Sequence, residues 1–130
     1  MPDTRERPVV FFDGGCPLCR REIGHYQRLD TAGRIDWRDI HADAAALEAR
    51  GIAWEDAMRR MHAVDEHGRV VSGAYAFVAT WRHLPYYRVA GAVLHRLPPV
   101  VWLMDRVYNV FARSRWRSRC RDGVCPPPPL

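Results

Sequence analysis

The chain has 130 residues, 48% of them hydrophobic, which fits one domain with a substantial core that needs no disulfide staples. The formal net charge is +5, but all 20 residues counted as Lys and Arg are arginines, which indicates coding bias rather than a nucleic-acid partner. No apolar run approaches the roughly 20 residues that span a bilayer, and the charged start lacks a signal peptide's apolar stretch. We therefore expect a cytoplasmic protein without a transmembrane segment.

The first part of the chain predicts a strand, a helix and a second strand. Val9-Val10-Phe11-Phe12 is an uninterrupted apolar run, the pattern of a strand buried on both faces. A turn at residues 13–15 leads into a helix predicted over residues 16–29, and the alternating residues 34–38 predict the second strand. This order implies a right-handed crossover, so the two strands should pair in parallel.

Short elements follow in the middle of the chain. A helix is predicted over residues 44–50, with one further turn at 54–58. Residues 61–65 and 69–72 flank a turn that contains Gly68, which predicts a β-hairpin.

The last part of the chain predicts helices separated by prolines. The predicted spans are residues 74–84, 86–97 and 100–116, with Pro85 and the Pro98-Pro99 pair between them. Together these elements predict an α/β, thioredoxin-like fold with a small mixed sheet, packed helices and a helical C-terminal extension. We expect a single domain over residues 1–130, with a loose start at 1–7 and an irregular tail at 119–130.

The Cys16-Pro17-Leu18-Cys19 motif lies at the predicted start of the first helix. In the cytoplasm such a motif indicates catalytic or metal-binding cysteines rather than structural ones. Unpaired N–H groups and the helix dipole favour a thiolate at a helix N-terminus, so Cys16 is the expected nucleophile. Cys19 lies on the same helix face and can resolve a mixed disulfide formed at Cys16. A zinc knuckle is disfavoured because a buried strand and a proline-started helix surround the motif.

Asp13 lies where the first strand ends, beside the two cysteines. A partly desolvated carboxyl group there could carry the proton between Cys19 and solvent. A simpler role is an Asx-type turn that bonds the backbone of Gly15 or Cys16, and the two roles are compatible. Asp13, Cys16 and Cys19 are therefore the candidate catalytic residues, and the chemistry requires no bound cofactor or metal.

The run Phe12-Asp13-Gly14-Gly15-Cys16-Pro17-Leu18-Cys19 closely resembles the signature of the DCC family, predicted thiol-disulfide oxidoreductases named for an Asp-x-x-Cys-x-x-Cys motif. Further segments look like that family's middle and C-terminal parts: residues 57–62, 64–65, 68–74, 97–99 and 105–108. The resemblance implies a thioredoxin-like fold and a redox role for Asp13, Cys16 and Cys19.

The expected substrate is a disulfide-containing protein or a low-molecular-weight thiol. Thioredoxins and glutaredoxins place a cis-proline just before the third strand, but no proline lies near residues 58–65 here, so substrate docking should differ from theirs. Pro17 in the first position between the cysteines is nearer the glutaredoxin pattern, which makes glutathione a candidate partner.

Several alternatives stay open. The Cys120 and Cys125 pair could be a second dithiol or could complete a zinc site with Cys16 and Cys19, although two thiols without a function in a tail are the simpler interpretation. The alternative function is a thioredoxin-like binding module whose cysteines are structural or bind zinc. Among the six histidines, only His62 is expected on a strand that runs close to the dithiol.

The arginine-rich C-terminal helix could contact a membrane surface weakly. Its apolar residues Val107, Val110 and Phe111 lie beside Arg106 and Arg113, the composition of an interfacial helix. A charged, solvated helix end is the simpler interpretation, and nucleic acid is not the expected partner.

Overall fold

The computed structural model describes residues 7–119. The strands are β1 (Val9–Phe12), β2 (Asp36–Asp39), β3 (His62–Val64) and β4 (Val70–Ser72). The helices are α1 (Pro17–Leu29), α2 (Ala44–Ala49), α3 (Trp54–Arg59), α4 (Ala74–Trp81), α5 (Arg88–His95) and α6 (Pro98–Arg119). Residues 1–6, which are most of the predicted loose start at 1–7, and residues 120–130, which contain Cys120 and Cys125, lie outside the described residues.

The four strands form one mixed sheet in the order β2-β1-β3-β4. β1 runs parallel to β2, with Phe12 opposite Asp39, and antiparallel to β3, which in turn pairs antiparallel with β4. The predicted β–α–β unit and hairpin are both confirmed. This mixed α/β architecture is consistent with a thioredoxin-like fold.

The central strand β1 is apolar because helices cover both faces of the sheet. Phe11 belongs to a buried cluster with Leu47 of α2 and Met58 of α3. Val10, which points the opposite way, belongs to a second cluster with Ile23 of α1. The sheet is therefore held between α1 on one face and the short helices α2 and α3 on the other.

Asp30 fixes the crossover from α1 to β2. Its buried carboxylate accepts hydrogen bonds from the backbone N–H groups of Arg34 and Ile35 at 2.9 and 3.1 Å and from the Trp37 indole at 3.1 Å. Because three donors converge on one carboxylate, the connection holds the dithiol helix and β2 in a fixed relation.

The largest correction to the predicted elements concerns Pro98-Pro99. The pair was expected to separate two helices, but it forms the first turn of α6. A proline in the first turn loses no helical hydrogen bond, because the first N–H groups of a helix have no partner inside it. At its other end α6 continues to Arg119, beyond the predicted end at residue 116.

The helices before α6 are shorter than predicted, and β2 is shifted. α4 ends at Trp81 rather than at residue 84. α5 begins at Arg88 rather than at residue 86, because Tyr86 has a φ of +72°, which no right-handed helix accommodates. β2 spans Asp36–Asp39 rather than residues 34–38, so Asp39 ends this strand beside the end of β1.

Glu66 ties the turn between β3 and β4 to the end of α4. Its buried carboxylate lies 3.2 Å from Arg82 and 2.9 Å from His83. Burial alone raises the pKa of Glu66, but the hydrogen bond from His83 and the nearby charge of Arg82 outweigh it and lower the pKa from 4.5 to about 2. The ionised form is therefore the one that stabilises the fold.

We expect Glu66→Gln to reduce the loss of stability in acid. A carboxyl group whose pKa is lowered on folding contributes stability above its unfolded pKa of 4.5 and loses it as the pH falls toward about 2. Urea unfolding of wild type and variant at several pH values in this window measures the difference, with exposed Glu48→Gln as the matched control. An equally steep acid loss in Glu66→Gln and wild type would contradict this account.

Candidate active site

Cys16 is the N-cap residue of α1, and Pro17 is the first residue of that helix. The Cys16 side chain is turned toward the helix, where its Sγ accepts a hydrogen bond from the backbone N–H of Cys19 at 3.4 Å. Cys16 is only 5% exposed, whereas Cys19 is partly exposed, and both are present as thiols. The Cys16 sulfur therefore lies against the N-terminal N–H groups of α1.

A small apolar cavity of about 30 Å³ adjoins the second cysteine. Its lining residues with titratable side chains are Cys19, Asp13, Glu22 and Tyr108. The other lining residues are apolar: Phe11, Phe12, Leu18, Ile23, Ala57, Met61, Phe77 and Phe111. This volume leaves room for one or two water molecules beside the side chains of Cys19 and Asp13.

Asp13 is buried, and its side chain has no accessible surface. Its Oδ1 accepts a hydrogen bond from the Gly15 N–H at 3.0 Å, and its backbone carbonyl accepts one from the Cys16 N–H at 3.1 Å. The predicted turn contact of Asp13 is therefore present. The same Oδ1 lies 2.6 Å from Nε2 of His41, a contact that the sequence analysis did not predict.

His41 reaches Asp13 from the loop that follows β2. Because β1 and β2 are parallel, the loops at their carboxyl ends leave the sheet side by side. The His41 ring is 27% exposed and packs edge-on against Trp54 at 5.2 Å between centroids. The sequence did predict that β1 and β2 pair in parallel, and this pairing was the one feature from which the contact could have been anticipated.

Asp39 joins the two loops at this edge of the sheet. Its Oδ1 accepts hydrogen bonds from the backbone N–H groups of Gly14 at 3.1 Å and His41 at 2.9 Å. A Cβ at position 14 would lie only 2.0 Å from Oδ2 of Asp39, so this approach requires glycine. One carboxylate thus positions both the turn before the dithiol and the histidine loop.

The helical extension α6 covers the site and ties its edges together. The Met61 N–H donates a hydrogen bond to the Tyr108 hydroxyl at 2.8 Å. Asp105 forms an ion pair with Arg60 and accepts a hydrogen bond from the Ala74 N–H at 3.1 Å. The segments that resemble the middle and C-terminal parts of the DCC family therefore meet in one place, beside the cavity at Cys19.

The other candidate residues from the sequence either do not line the cavity at Cys19 or fall outside the described residues. His62 bonds the Arg60 carbonyl through Nδ1 at 2.9 Å and does not line the cavity at Cys19. Among residues 7–119, no three His, Cys, Asp or Glu side chains are grouped so that they could hold a metal ion. Within the same span, no helix has the length and hydropathy needed to cross a bilayer. Cys120 and Cys125 lie outside the described residues.

Comparisons with known proteins agree with this geometry. A family model described as DCC1-like thiol-disulfide oxidoreductase matches residues 10–121. An uncharacterized chloroplastic protein of Arabidopsis thaliana is 31% identical over 117 residues, which cover 88% of this chain and 54% of that protein. The chain thus spans about half the length of the curated relative it matches. No solved structure matches the chain.

We expect two Gly→Ala substitutions near the dithiol to have opposite effects on stability. Gly14→Ala forces the Asp39 carboxylate away and should destabilise the fold by about 1–3 kcal/mol. Gly24→Ala, inside α1, meets nothing within 4 Å and should stabilise the fold by up to about 1 kcal/mol. Urea unfolding of both variants gives their free energies of unfolding. Equal changes in the two variants would show that the close approach of Gly14 to Asp39 does not contribute to stability.

Proposed function

The chain belongs to the DCC1-like thiol-disulfide oxidoreductase family, and from this premise we propose that it is an enzyme that exchanges thiols and disulfides through Cys16 and Cys19. The observation that carries the proposal is the Cys16 sulfur at the helix N-terminus, within hydrogen-bond distance of the Cys19 N–H. The thiolate is the form that attacks a disulfide, and unpaired N–H groups at a helix N-terminus can donate hydrogen bonds to it.

The proposed reaction has two exchange steps. The Cys16 thiolate attacks a substrate disulfide, which forms a mixed disulfide and releases the first substrate thiolate. Cys19 then loses its proton and attacks the Cys16 sulfur, which releases the second substrate thiolate and leaves a disulfide between Cys16 and Cys19. Two electrons pass from the dithiol to the substrate, and the reverse sequence oxidises a substrate dithiol.

Asp13 is the proposed acceptor of the Cys19 proton. Both residues line the small cavity beneath α6, where the apolar walls exclude bulk solvent. A carboxylate in that position can take the proton directly or through one water molecule, and can return it when the reaction runs in reverse. The contact of Asp13 with the Gly15 N–H holds the carboxylate beside the dithiol at the same time.

The proposed substrate is the disulfide of a polypeptide rather than that of glutathione. A larger apolar groove of about 470 Å³ continues from the cavity and shares Glu22, Phe77 and Tyr108 with it. Among the described residues, Asp13 and Glu22 are the only charged side chains lining the cavity and the groove, and both are acidic. The carboxylates of glutathione would meet repulsion here, whereas apolar side chains would be buried.

Two further expectations accompany this function. We propose the cytoplasm as the compartment, because its reducing conditions keep the dithiol ready to react. We also propose a weak contact between α6 and a membrane surface, since Val107 and Val110 are 67% and 68% exposed beside exposed Arg106 and Arg113.

Substitution of either cysteine should separate the two steps. Cys16→Ser should lower the rate of disulfide reduction roughly 1000-fold or more, because the nucleophile is absent. Cys19→Ser should still attack but should accumulate a mixed disulfide at Cys16, which mass spectrometry of the intact protein detects. Wild-type activity in Cys16→Ser would contradict the proposal, and stoichiometric zinc with no fast-reacting thiol would favour the binding module instead.

Substrate preference can be tested with two disulfides of opposite character. Initial rates at equal concentration should be at least about ten-fold higher for a peptide disulfide with apolar neighbours than for glutathione disulfide. Glu22→Gln should narrow this difference, because it removes a groove carboxylate while keeping an oxygen for the Tyr26 hydroxyl, which now donates to Glu22 at 3.0 Å. Faster reaction with glutathione disulfide would contradict the proposed substrate class.

A further inference from the structure

We propose that His41 is a positioning residue for the exchange reaction, which holds the Asp13 carboxylate ionised and in place for the Cys19 proton. The inference rests on the redox function proposed above and concerns its second step. It starts from the 2.6 Å contact between His41 Nε2 and Asp13 Oδ1.

A buried carboxylate needs a partner to remain charged. The Asp13 side chain has no accessible surface, and an unpaired charge in such a place would be neutralised by proton uptake. The Gly15 N–H supplies one hydrogen bond, but it carries no full charge. His41 supplies a second bond and, when protonated, the opposite charge, while its partly exposed ring connects the buried pair to solvent.

The fold holds the His41 ring in this position. The Asp39 carboxylate accepts a hydrogen bond from the His41 backbone N–H. The Ile40 N–H donates one to the Phe12 carbonyl at 3.0 Å, so the start of this loop is held against the ends of both β1 and β2. The edge-on contact with Trp54 of α3 restricts rotation of the ring. A flexible surface histidine would have none of these restraints.

The charged and titratable groups around the pair come from three places. Asp39 lies at the end of β2, Cys16 caps α1, which carries Cys19 and Glu22, and Tyr108 of α6 lines the cavity. Arg38, which precedes Asp39, is paired with Asp36 at 3.0 Å and with Asp43 at 2.9 Å. Because Asp39 and Glu22 are both acidic, they make an unpaired Asp13 charge harder to maintain, which increases the importance of His41.

The two exchange steps should therefore respond differently to loss of His41. The first attack uses Cys16 and the helix N-terminus and does not need Asp13 to accept a proton. Resolution needs Cys19 to lose its proton to an ionised Asp13. Without His41, Asp13 takes up a proton at higher pH and cannot accept another, so only resolution should slow and its pH profile should move upward.

A two-phase assay can measure this difference in the full-length chain. A symmetric aromatic disulfide releases one coloured thiolate when Cys16 attacks and a second when Cys19 resolves the mixed disulfide. Stopped-flow absorbance gives both rates over pH values from about 5 to about 9. His41→Ala should leave the first rate within about two-fold and slow the second about ten-fold at neutral pH, the size of a lost hydrogen bond to a charge. Exposed His95→Ala is the matched control.

Further variants keep the test decisive. If His41→Ala does not fold, His41→Gln keeps a hydrogen-bond donor without the ionisable ring and should still move the pH profile of the second phase. In an Asp13→Asn background, His41→Ala should have no additional effect on the second phase. Equal slowing of both phases, or an unchanged pH profile of the second phase, would overturn the role of His41. A wild-type protein that releases only one thiolate would instead contradict the redox function itself.

Discussion

The parallel pairing of β1 with β2 is the constraint on which the site depends. It sets Phe12 opposite Asp39, so the loop that enters the dithiol helix and the loop that carries His41 leave the sheet at the same edge. The Asp39 carboxylate then binds backbone N–H groups of both loops. The buried carboxyl group of Asp13 lies where these two loops meet, 2.6 Å from His41. A shift of one residue in this register would separate all of these groups.

The helical extension adds a second constraint, on the other side of the dithiol. Tyr108 of α6 accepts the Met61 N–H and also lines the cavity beside Cys19. Asp105 ties the same helix to Arg60, just before β3, and to the N-terminus of α4. Apolar side chains of α6, among them Leu103, Val107 and Phe111, line the cavity at Cys19 or the groove that continues from it. The extension therefore belongs to the site, and under the proposed function it would influence which disulfides can reach Cys16 and Cys19.

Short sequence patterns correctly predicted those strands and helices whose conformation depends mainly on neighbouring residues. The apolar run of β1 and the proline at the start of α1 have one simple interpretation each, and both were confirmed. Pro98-Pro99 was misinterpreted because prolines suit both a break between helices and a helix's first turn, and packing decides between them. His41 was missed because its contact joins loops 28 residues apart in the chain, and no local pattern shows which loop side chain turns inward.

The central claim is that Cys16 and Cys19 exchange electrons as one dithiol. Equilibration of the full-length protein in buffers of graded thiol and disulfide content, followed by mass-spectrometric mapping of the cysteine pairs, tests it most directly. The account predicts a reversible two-electron transition in which Cys16 and Cys19 form a disulfide with each other. No disulfide between them at any potential, or a pairing of either cysteine only with Cys120 or Cys125, would contradict it.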